Sequence, residues 1–145
     1  MRYGRYLEEL QTGQSFEHWP GRTITEFDDT YFSLMSMNQH PLHVDDYWSR
    51  GTQHGQRLVE GPLVISLVIG MSQADIGGRA LRTIEYSDIK HTEPVFHGDT
   101  IYARSKVTAV DANGIVTVYS EGLNQKGAVV VSFERRILVP RKEAQ

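Results

Sequence analysis

Residues 61–72 read Gly-Pro-Leu-Val-Ile-Ser-Leu-Val-Ile-Gly-Met-Ser, a run that is apolar on nearly every side. Periodicity alone cannot separate a buried strand from a buried helix in such a run. The apolar pattern continues to about Ile76 and stops at Gly77-Gly78, which is longer than a typical strand and favours a helix. Pro62 lies in the first turn, where a helix tolerates proline. A helix that is apolar all round must be covered, and we expect a curved β-sheet as the cover.

The chain after this run supplies the strands of such a sheet. Alternating and β-branched residues predict four strands, at 81–90, 100–110, 115–121 and 128–139. Turn residues separate the last three strands, at 111–114, which ends in the Asn113-Gly114 pair, and at 124–127. Hairpin turns of this kind join antiparallel strands, so we expect an antiparallel meander.

Shorter elements precede the apolar run. We predict a strand at 22–27, a helix at 30–37 that is capped by Asp28 or Asp29, and a short helix at 45–51. Residues 1–20 are expected to be irregular, apart from one helical turn at 6–10. The predicted fold class is therefore α+β, with an antiparallel β-sheet wrapped around one long central α-helix.

Composition limits the classes of function. The 145 residues suffice for a hydrophobic core, so we expect a single domain over 1–145. The net charge of −3 and the pI near 6.0 give no support for nucleic-acid binding. The chain has no cysteine, which excludes disulfides and a cysteine nucleophile and fits a cytoplasmic protein. The apolar run is too short to span a bilayer, so we expect no membrane association.

The segment Asn38-Gln39-His40-Pro41-Leu42-His43 places two imidazoles beside a proline. Pro41 fixes its own φ and pushes His40 into an extended conformation, so the preceding helix cannot simply continue. Because the unperturbed pKa of histidine lies nearest neutrality, two histidines at a forced bend indicate proton transfer. The alternative is a connecting loop whose histidines are solvated or bonded to backbone.

The other histidines carry weaker signals. We expect His18, His54 and His91 to be solvated or locally bonded. His97 is expected in a strand connection where Asp99 bonds to nearby backbone. No two histidines have the His-x-x-x-His spacing of a helical metal site, so we expect no metal.

The start of the apolar helix is a second candidate site. The first N–H groups of a helix have no intrahelical acceptors and lie at the positive end of its dipole. Gly61 would let a ligand approach this backbone closely, and a thioester oxygen bound there would be stabilised as an enolate. The alternative is that Gly61-Pro62 only starts the helix.

Together, these segments resemble the MaoC-like hydratase/dehydratase family, which has the hotdog fold. The resemblance covers nearly the whole chain and rests on four segments in order, at 21–25, 38–43, 58–62 and 94–100. In the (R)-specific enoyl-CoA hydratases of this family, the signature is Gly-Asp-x-Asn-Pro-(aliphatic)-His, with a small residue six positions later. The matching residues are Pro41, Leu42 and His43, with Ser49 as the small residue. The departures are Met37 for the Gly, Asn38 for the Asp and His40 for the Asn.

The resemblance implies a hydro-lyase that adds water to the double bond of a short enoyl-CoA thioester. In the family, an Asp/His pair holds and activates the water. An amide cannot act as a base, so Asn38 would orient the water through its oxygen while His43 accepts and returns the proton. Backbone N–H groups near Gly61 would stabilise the enolate. Coenzyme A belongs to the substrate, and no cofactor is expected.

The pattern Asn-x-His-Pro-x-His is similar to the branch of the family that handles mesaconyl-CoA, itaconyl-CoA or β-methylmalyl-CoA. These branched C5 dicarboxylic thioesters carry a free carboxylate, which requires a cation. His40, Arg22, Arg57 and Arg82 are candidates, and the sequence does not choose among them. The resemblance also implies a homodimer or a dimer of dimers, in which exposed sheet edges pair.

Two alternatives stay open. A hotdog thioesterase would hydrolyse the thioester with the help of a carboxylate near the buried helix, and Glu60 is the only carboxylate directly before that helix. A non-catalytic CoA-thioester-binding or partner subunit would explain why position 38 lacks the acid.

Overall fold

The computed structural model describes residues 3–143 and shows one antiparallel sheet against which a helix packs. The elements are β1 (Ser15–Thr23), α1 (Glu26–Met35), α2 (Pro41–Val44), α3 (Asp46–Ser49), α4 (Gly61–Ser72), β2 (Arg82–His91), β3 (Thr100–Val110), β4 (Ile115–Leu123) and β5 (Val129–Leu138). The strand order is β1-β3-β4-β5-β2, with antiparallel pairing throughout. The predicted α+β class and antiparallel sheet are confirmed. Within residues 3–143, no helix is long and apolar enough to cross a membrane.

The main hydrophobic core lies between α4 and the sheet. Val64 and Val68 of α4 are buried in one cluster with Ile101 of β3 and Phe133 of β5. Alternate residues of β3 are buried from Ile101 to Val107, as the alternation in sequence predicts. The sheet approaches the helix closely at Gly122, where an added Cβ would lie 2.8 Å from Val68 Cγ2. The helix therefore rests directly on the sheet.

The apolar helix is shorter than its sequence pattern. It has 12 residues and ends at Ser72, although the apolar pattern continues to Ile76. Beyond Ser72 the chain turns, and the Gln73 carbonyl accepts the Gly78 N–H at 2.7 Å. Ile76 is fully buried in a second core cluster that includes Leu7 and other apolar residues. Ile76 thus packs in this second core and does not extend the helix.

The first strand lies earlier than predicted. It spans Ser15–Thr23 and pairs with β3, so the predictions of irregular structure to residue 20 and of a strand at 22–27 were wrong. Pro20 and Gly21 interrupt the strand pattern in the sequence, and the pairing register shifts between His18 and Arg22. The helical turn predicted at 6–10 is present as a 3-10 helix at Leu7–Glu9.

The first α-helix also begins earlier than predicted, at Glu26. Its N-cap is Thr25, whereas the sequence pointed to Asp28 or Asp29. Thr25 Oγ1 accepts the Asp28 N–H at 3.3 Å, and Asp28 Oδ2 accepts the Thr25 N–H at 2.8 Å. This reciprocal capping box satisfies two backbone donors at the start of α1. It leaves Asp29 available for a contact elsewhere in the fold.

The short helix predicted at 45–51 is present as α3, and an additional short helix, α2, precedes it. Each is capped by a polar side chain. His40 Nδ1 accepts the Leu42 N–H at 3.1 Å, and Asp45 Oδ1 accepts the Trp48 N–H at 2.9 Å. The bend predicted at Pro41 is therefore the start of a new helix, in which proline occupies the first turn.

His18 is neither solvated nor locally bonded, so that expectation was wrong: its hydrogen-bond partners lie far away in the sequence. Its ring is buried, with Nδ1 2.7 Å from Asp75 Oδ2 and Nε2 2.8 Å from Ser105 Oγ. Ser105 Oγ in turn lies 2.7 Å from Ser120 Oγ. This chain of hydrogen bonds pairs the polar groups that are buried there, as a protein interior requires.

Candidate active site

A cavity of about 340 Å³ lies at the N-terminus of α4. It is lined by both His43 and Gly61, which come from the two segments with predicted chemistry. The remaining lining residues come from the segment before α4, from α4 itself, from the end of β2 and the connection that follows it, and from β5: Leu58, Val59, Pro62, Val64, His91, Glu93, Pro94, Val95 and Val130. The walls are mostly apolar, and the ionisable side chains in them are two imidazoles and one carboxylate.

The His43 ring is oriented by one hydrogen bond. Its Nδ1 lies 2.8 Å from the carbonyl oxygen of Leu58. A carbonyl only accepts hydrogen bonds, so Nδ1 carries a proton and, in the neutral ring, Nε2 carries none. Leu58 is itself fixed, since its N–H donates to the Leu42 carbonyl at 3.1 Å. His43 therefore lines the cavity with a ring whose second nitrogen is available as a base.

Ser49 supports the helix that carries His43. Its side chain is fully buried, and its Oγ donates toward the carbonyl oxygens of Pro41 at 3.2 Å and Leu42 at 3.4 Å. Both acceptors belong to α2, so the hydroxyl fastens α3 to α2. A small residue is needed at this position because the two helices approach closely. The hydroxyl does not line the cavity.

Asn38 lies beside the start of α4 and does not line the cavity. Its Nδ2 donates to Glu60 Oε1, and its Oδ1 accepts the His40 N–H at 3.2 Å. Met37, which stands at the position of the signature glycine, has a φ of 58°. That left-handed region favours glycine, which is the residue that the signature has at this position.

Two buried acidic residues lie at the start of α4, and the sequence did not predict their contacts. Glu60 is the N-cap residue of α4 and is 2% exposed, while Asp29 is 0% exposed. Asp29 Oδ1 accepts the Glu60 N–H at 3.0 Å, and Asp29 Oδ2 lies 2.7 Å from His97 Nε2. His97, expected in an ordinary strand connection, thus pairs with a buried carboxylate. These contacts tie α1 and the β2–β3 connection to α4.

His91, which was expected to be solvated or locally bonded, is exposed and also lines the cavity. Its ring rests against Gly61, where an added Cβ would lie 2.6 Å from His91 Cε1. Glycine is therefore required at position 61 for this close approach. The contact depends on the register of β2 on β5, in which His91 pairs with Val131. Such a long-range register leaves no local signal in the sequence.

Two of the candidate cations are held by carboxylates. Arg57 is 6% exposed and donates to Asp46 Oδ1 at 2.6 Å and to Glu26 Oε1 at 2.5 Å. Burial disfavours its charge, but these hydrogen bonds outweigh that cost and raise the pKa of Arg57. Arg22 donates to Asp28 at 2.7 Å and lines a different cavity, of about 390 Å³. Neither arginine lines the cavity of His43.

The other two candidate cations, Arg82 and His40, differ in their distance from the cavity. Arg82 and His91 occupy opposite ends of the 10-residue strand β2, roughly 30 Å apart by strand geometry. The His40 ring centroid lies 6.0 Å from that of His43. Of the four candidates, His40 is therefore the one beside the site.

No three His, Asp or Glu side chains within residues 3–143 converge as a metal-binding group.

Comparison with known proteins identifies the family of this chain. A family model described as the MaoC like domain matches residues 8–126. Mesaconyl-CoA hydratase from Cereibacter sphaeroides is 28% identical over 145 residues, which cover 97% of this chain and 42% of that protein. The chain thus spans about two fifths of the length of that curated relative.

Two solved structures extend the comparison. An unliganded R-hydratase from Pseudomonas aeruginosa superimposes with a TM-score of 0.86 at 25% identity, covering 97% of this chain and 88% of that chain. A Mycobacterium tuberculosis protein with a double hotdog fold superimposes with a TM-score of 0.87 at 20% identity, covering 98% of this chain and 46% of that chain. The expected hotdog fold is confirmed. With the family model matching most of its length, the chain belongs to the family of MaoC-like domains.

Proposed function

We propose that this protein is a hydro-lyase that reversibly adds water to the double bond of a short enoyl-CoA thioester. One observation carries the proposal: His43, with a nitrogen available as a base, lines the same cavity as Gly61, the first residue of α4. Two of the similar proteins, a mesaconyl-CoA hydratase and an R-hydratase, bear names of this reaction class.

The proposed hydration begins at His43. Its Nε2 removes a proton from a water molecule, and the water oxygen bonds to the β-carbon of the enoyl group. The electron pair of the double bond moves to the thioester oxygen as an enolate. The Gly61 N–H has no acceptor within residues 3–143 and stabilises that oxygen. His43 then returns the proton to the α-carbon, and dehydration is the reverse sequence.

A branched C5 dicarboxylic acyl group, of the mesaconyl, itaconyl or β-methylmalyl type, is the finer proposal for the substrate. It is supported by the mesaconyl-CoA hydratase relative and by the two histidines near His43, namely His40 and His91. A protonated imidazole can bind the free carboxylate of such a substrate. Coenzyme A enters as part of the substrate, and the proposed chemistry uses no metal or redox cofactor.

We also propose that the protein forms a homodimer or a dimer of dimers. β1 and β2 are the edge strands of the sheet, and β2 exposes Ile84, Tyr86 and Ile89. A free edge with apolar side chains offers a second copy both backbone hydrogen bonds and apolar surface. Because His91 ends β2, pairing along this edge would bring the second copy close to the cavity.

Product mass tests the proposed reaction. The purified protein is incubated with crotonyl-, mesaconyl- and itaconyl-CoA, and the products are identified by mass spectrometry. We expect at least one acyl-CoA to gain one water and keep its CoA. Release of CoA-SH alone would indicate a thioesterase, although Glu60, which that alternative needs, is buried and does not line the cavity. No change in any substrate would favour a non-catalytic subunit.

Replacing Gly61 with alanine tests the proposed oxyanion site. We expect kcat/KM to fall about 10-fold or more, because the new Cβ would lie 2.6 Å from Cε1 and 2.8 Å from Nε2 of His91. The exposed His91 ring can move aside, so the fold should persist. Gly70→Ala is the matched control, since it lies in the same helix and its added Cβ meets nothing within 4 Å. Equal kcat/KM for Gly61→Ala and the wild type would contradict the assignment.

A further inference from the structure

The buried carboxylate of Glu60 has neutral hydrogen-bond partners. Asn38 Nδ2 donates to its Oε1, and Ser36 Oγ lies 3.3 Å from its Oε2. No ion pair within residues 3–143 includes Glu60. The Glu60 carboxylate is therefore held by neutral hydrogen-bond donors, without a cation.

This environment gives a physical reason for the amide at position 38. An ionised carboxylate only accepts hydrogen bonds, so the group that faces it must be a donor. The NH₂ group of Asn38 meets this requirement. An aspartate at position 38, as in the signature of the (R)-specific hydratases, would place a second carboxylate against Glu60, and the two charges would repel each other.

The same contact fixes the rotation of the Asn38 amide. With Nδ2 held by Glu60, Oδ1 points away from the carboxylate and accepts the His40 N–H at 3.2 Å. An amide oxygen has two lone pairs, so one is left to accept a hydrogen bond from water. Without a carboxylate at position 60, only the His40 N–H would hold the amide in this rotation.

We propose that Glu60 is a positioning residue that works as a pair with Asn38: its buried carboxylate holds the amide in the rotation in which Oδ1 accepts the His40 N–H at the start of α2, the helix that carries His43, and it excludes an acid from position 38. This inference rests on the proposed hydratase function. Neither Glu60 nor Asn38 lines the cavity, so the pair acts on the reaction by positioning the segment that carries His43. Glu60 also directly precedes Gly61, and the Glu60 N–H donates to Asp29 Oδ1 at 3.0 Å. Glu60 therefore aligns both the Asn38 amide and the start of α4.

A charge exchange tests the pair through Glu60→Gln, Asn38→Asp and the double variant. Glu60→Gln should lower kcat about 10-fold and leave KM unchanged, because an amide at position 60 can pair with Asn38 in either rotation. Asn38→Asp should lower both kcat and the melting temperature, because two carboxylates meet. The double variant should recover both quantities, since its amide at position 60 can donate to the acid at position 38. Glu8→Gln, an exposed carboxylate of the 3-10 helix far from the site, is the control and should change neither.

Two results would overturn the proposed coupling of Glu60 and Asn38. One is a double variant that is no more stable than Asn38→Asp, and the other is a Glu60→Gln variant with the kcat of the wild type. Recovery in the double variant, with the loss in Glu60→Gln, supports it. A wild type that hydrates no enoyl-CoA rejects the proposed function. In that case the melting temperatures alone decide whether Glu60 and Asn38 are coupled, because that comparison needs no turnover.

Discussion

Replacing His43 with alanine is expected to lower kcat by about 10³-fold, because the variant loses the group that moves the proton in both directions of the proposed reaction. Binding of the acyl-CoA should change little, since most of the cavity wall is apolar and stays in place. The fold should also persist, because the substitution removes one hydrogen bond, from Nδ1 to the Leu58 carbonyl, worth about 1 kcal/mol.

Steady-state kinetics on the best substrate of the panel, together with thermal unfolding, measures this effect. His40→Ala is the matched control, because its ring lies beside His43 and it is assigned to the substrate and not to proton transfer. We expect His40→Ala to raise KM more than it lowers kcat. A folded His43→Ala variant that keeps wild-type kcat would show that another group is the base.

Replacing Asp29 with alanine is expected to have the largest effect on stability, a loss of about 3 kcal/mol in the free energy of unfolding. Asp29 is fully buried and accepts from both the Glu60 N–H and the His97 ring. Its removal leaves both groups without an acceptor and frees the start of α4, so activity should fall together with stability.

Urea unfolding followed by circular dichroism measures this loss. The neighbouring Asp28→Ala is the control, because it removes the capping box of α1, which is worth about 1 kcal/mol, and one partly exposed ion pair with Arg22, which adds little. A loss for Asp29→Ala no greater than that for Asp28→Ala would mean that the buried contacts to Glu60 and His97 do not stabilise the native state.

The elements with strong local patterns could be predicted from the sequence. The apolar run after Pro62 predicted a buried helix, and the Asn113-Gly114 pair predicted a hairpin, whose Gly114 has a φ of 89°. β1 could not be predicted, because Pro20 and Gly21 break its alternation and its pairing with β3 resumes only after a register shift. Where helix α4 ends is likewise set by the contacts of a second core and not by its own residues.

Some residues of the candidate site could likewise be predicted from local sequence, and others could not. The segment around His43 and the glycine at position 61 could be found from local sequence, since a proline bend and a Gly-Pro helix start are local signals. Asp29, His97 and His91 could not, because their contacts join α1, the β2–β3 connection and the end of β2 to the start of α4. A histidine or an aspartate in those segments has no local feature that distinguishes it from a surface residue.

If water adds to the acyl double bond, the oxygen of that water must end in the acyl chain of the product. The protein is incubated with its best enoyl-CoA substrate in water that is enriched in a heavy oxygen isotope. The products are then separated, and their masses are measured by mass spectrometry. The hydratase account predicts a hydroxyacyl-CoA that carries the heavy oxygen in its acyl chain and keeps CoA attached. Heavy oxygen found only in the carboxylate of a released acid, or in no product, would contradict it.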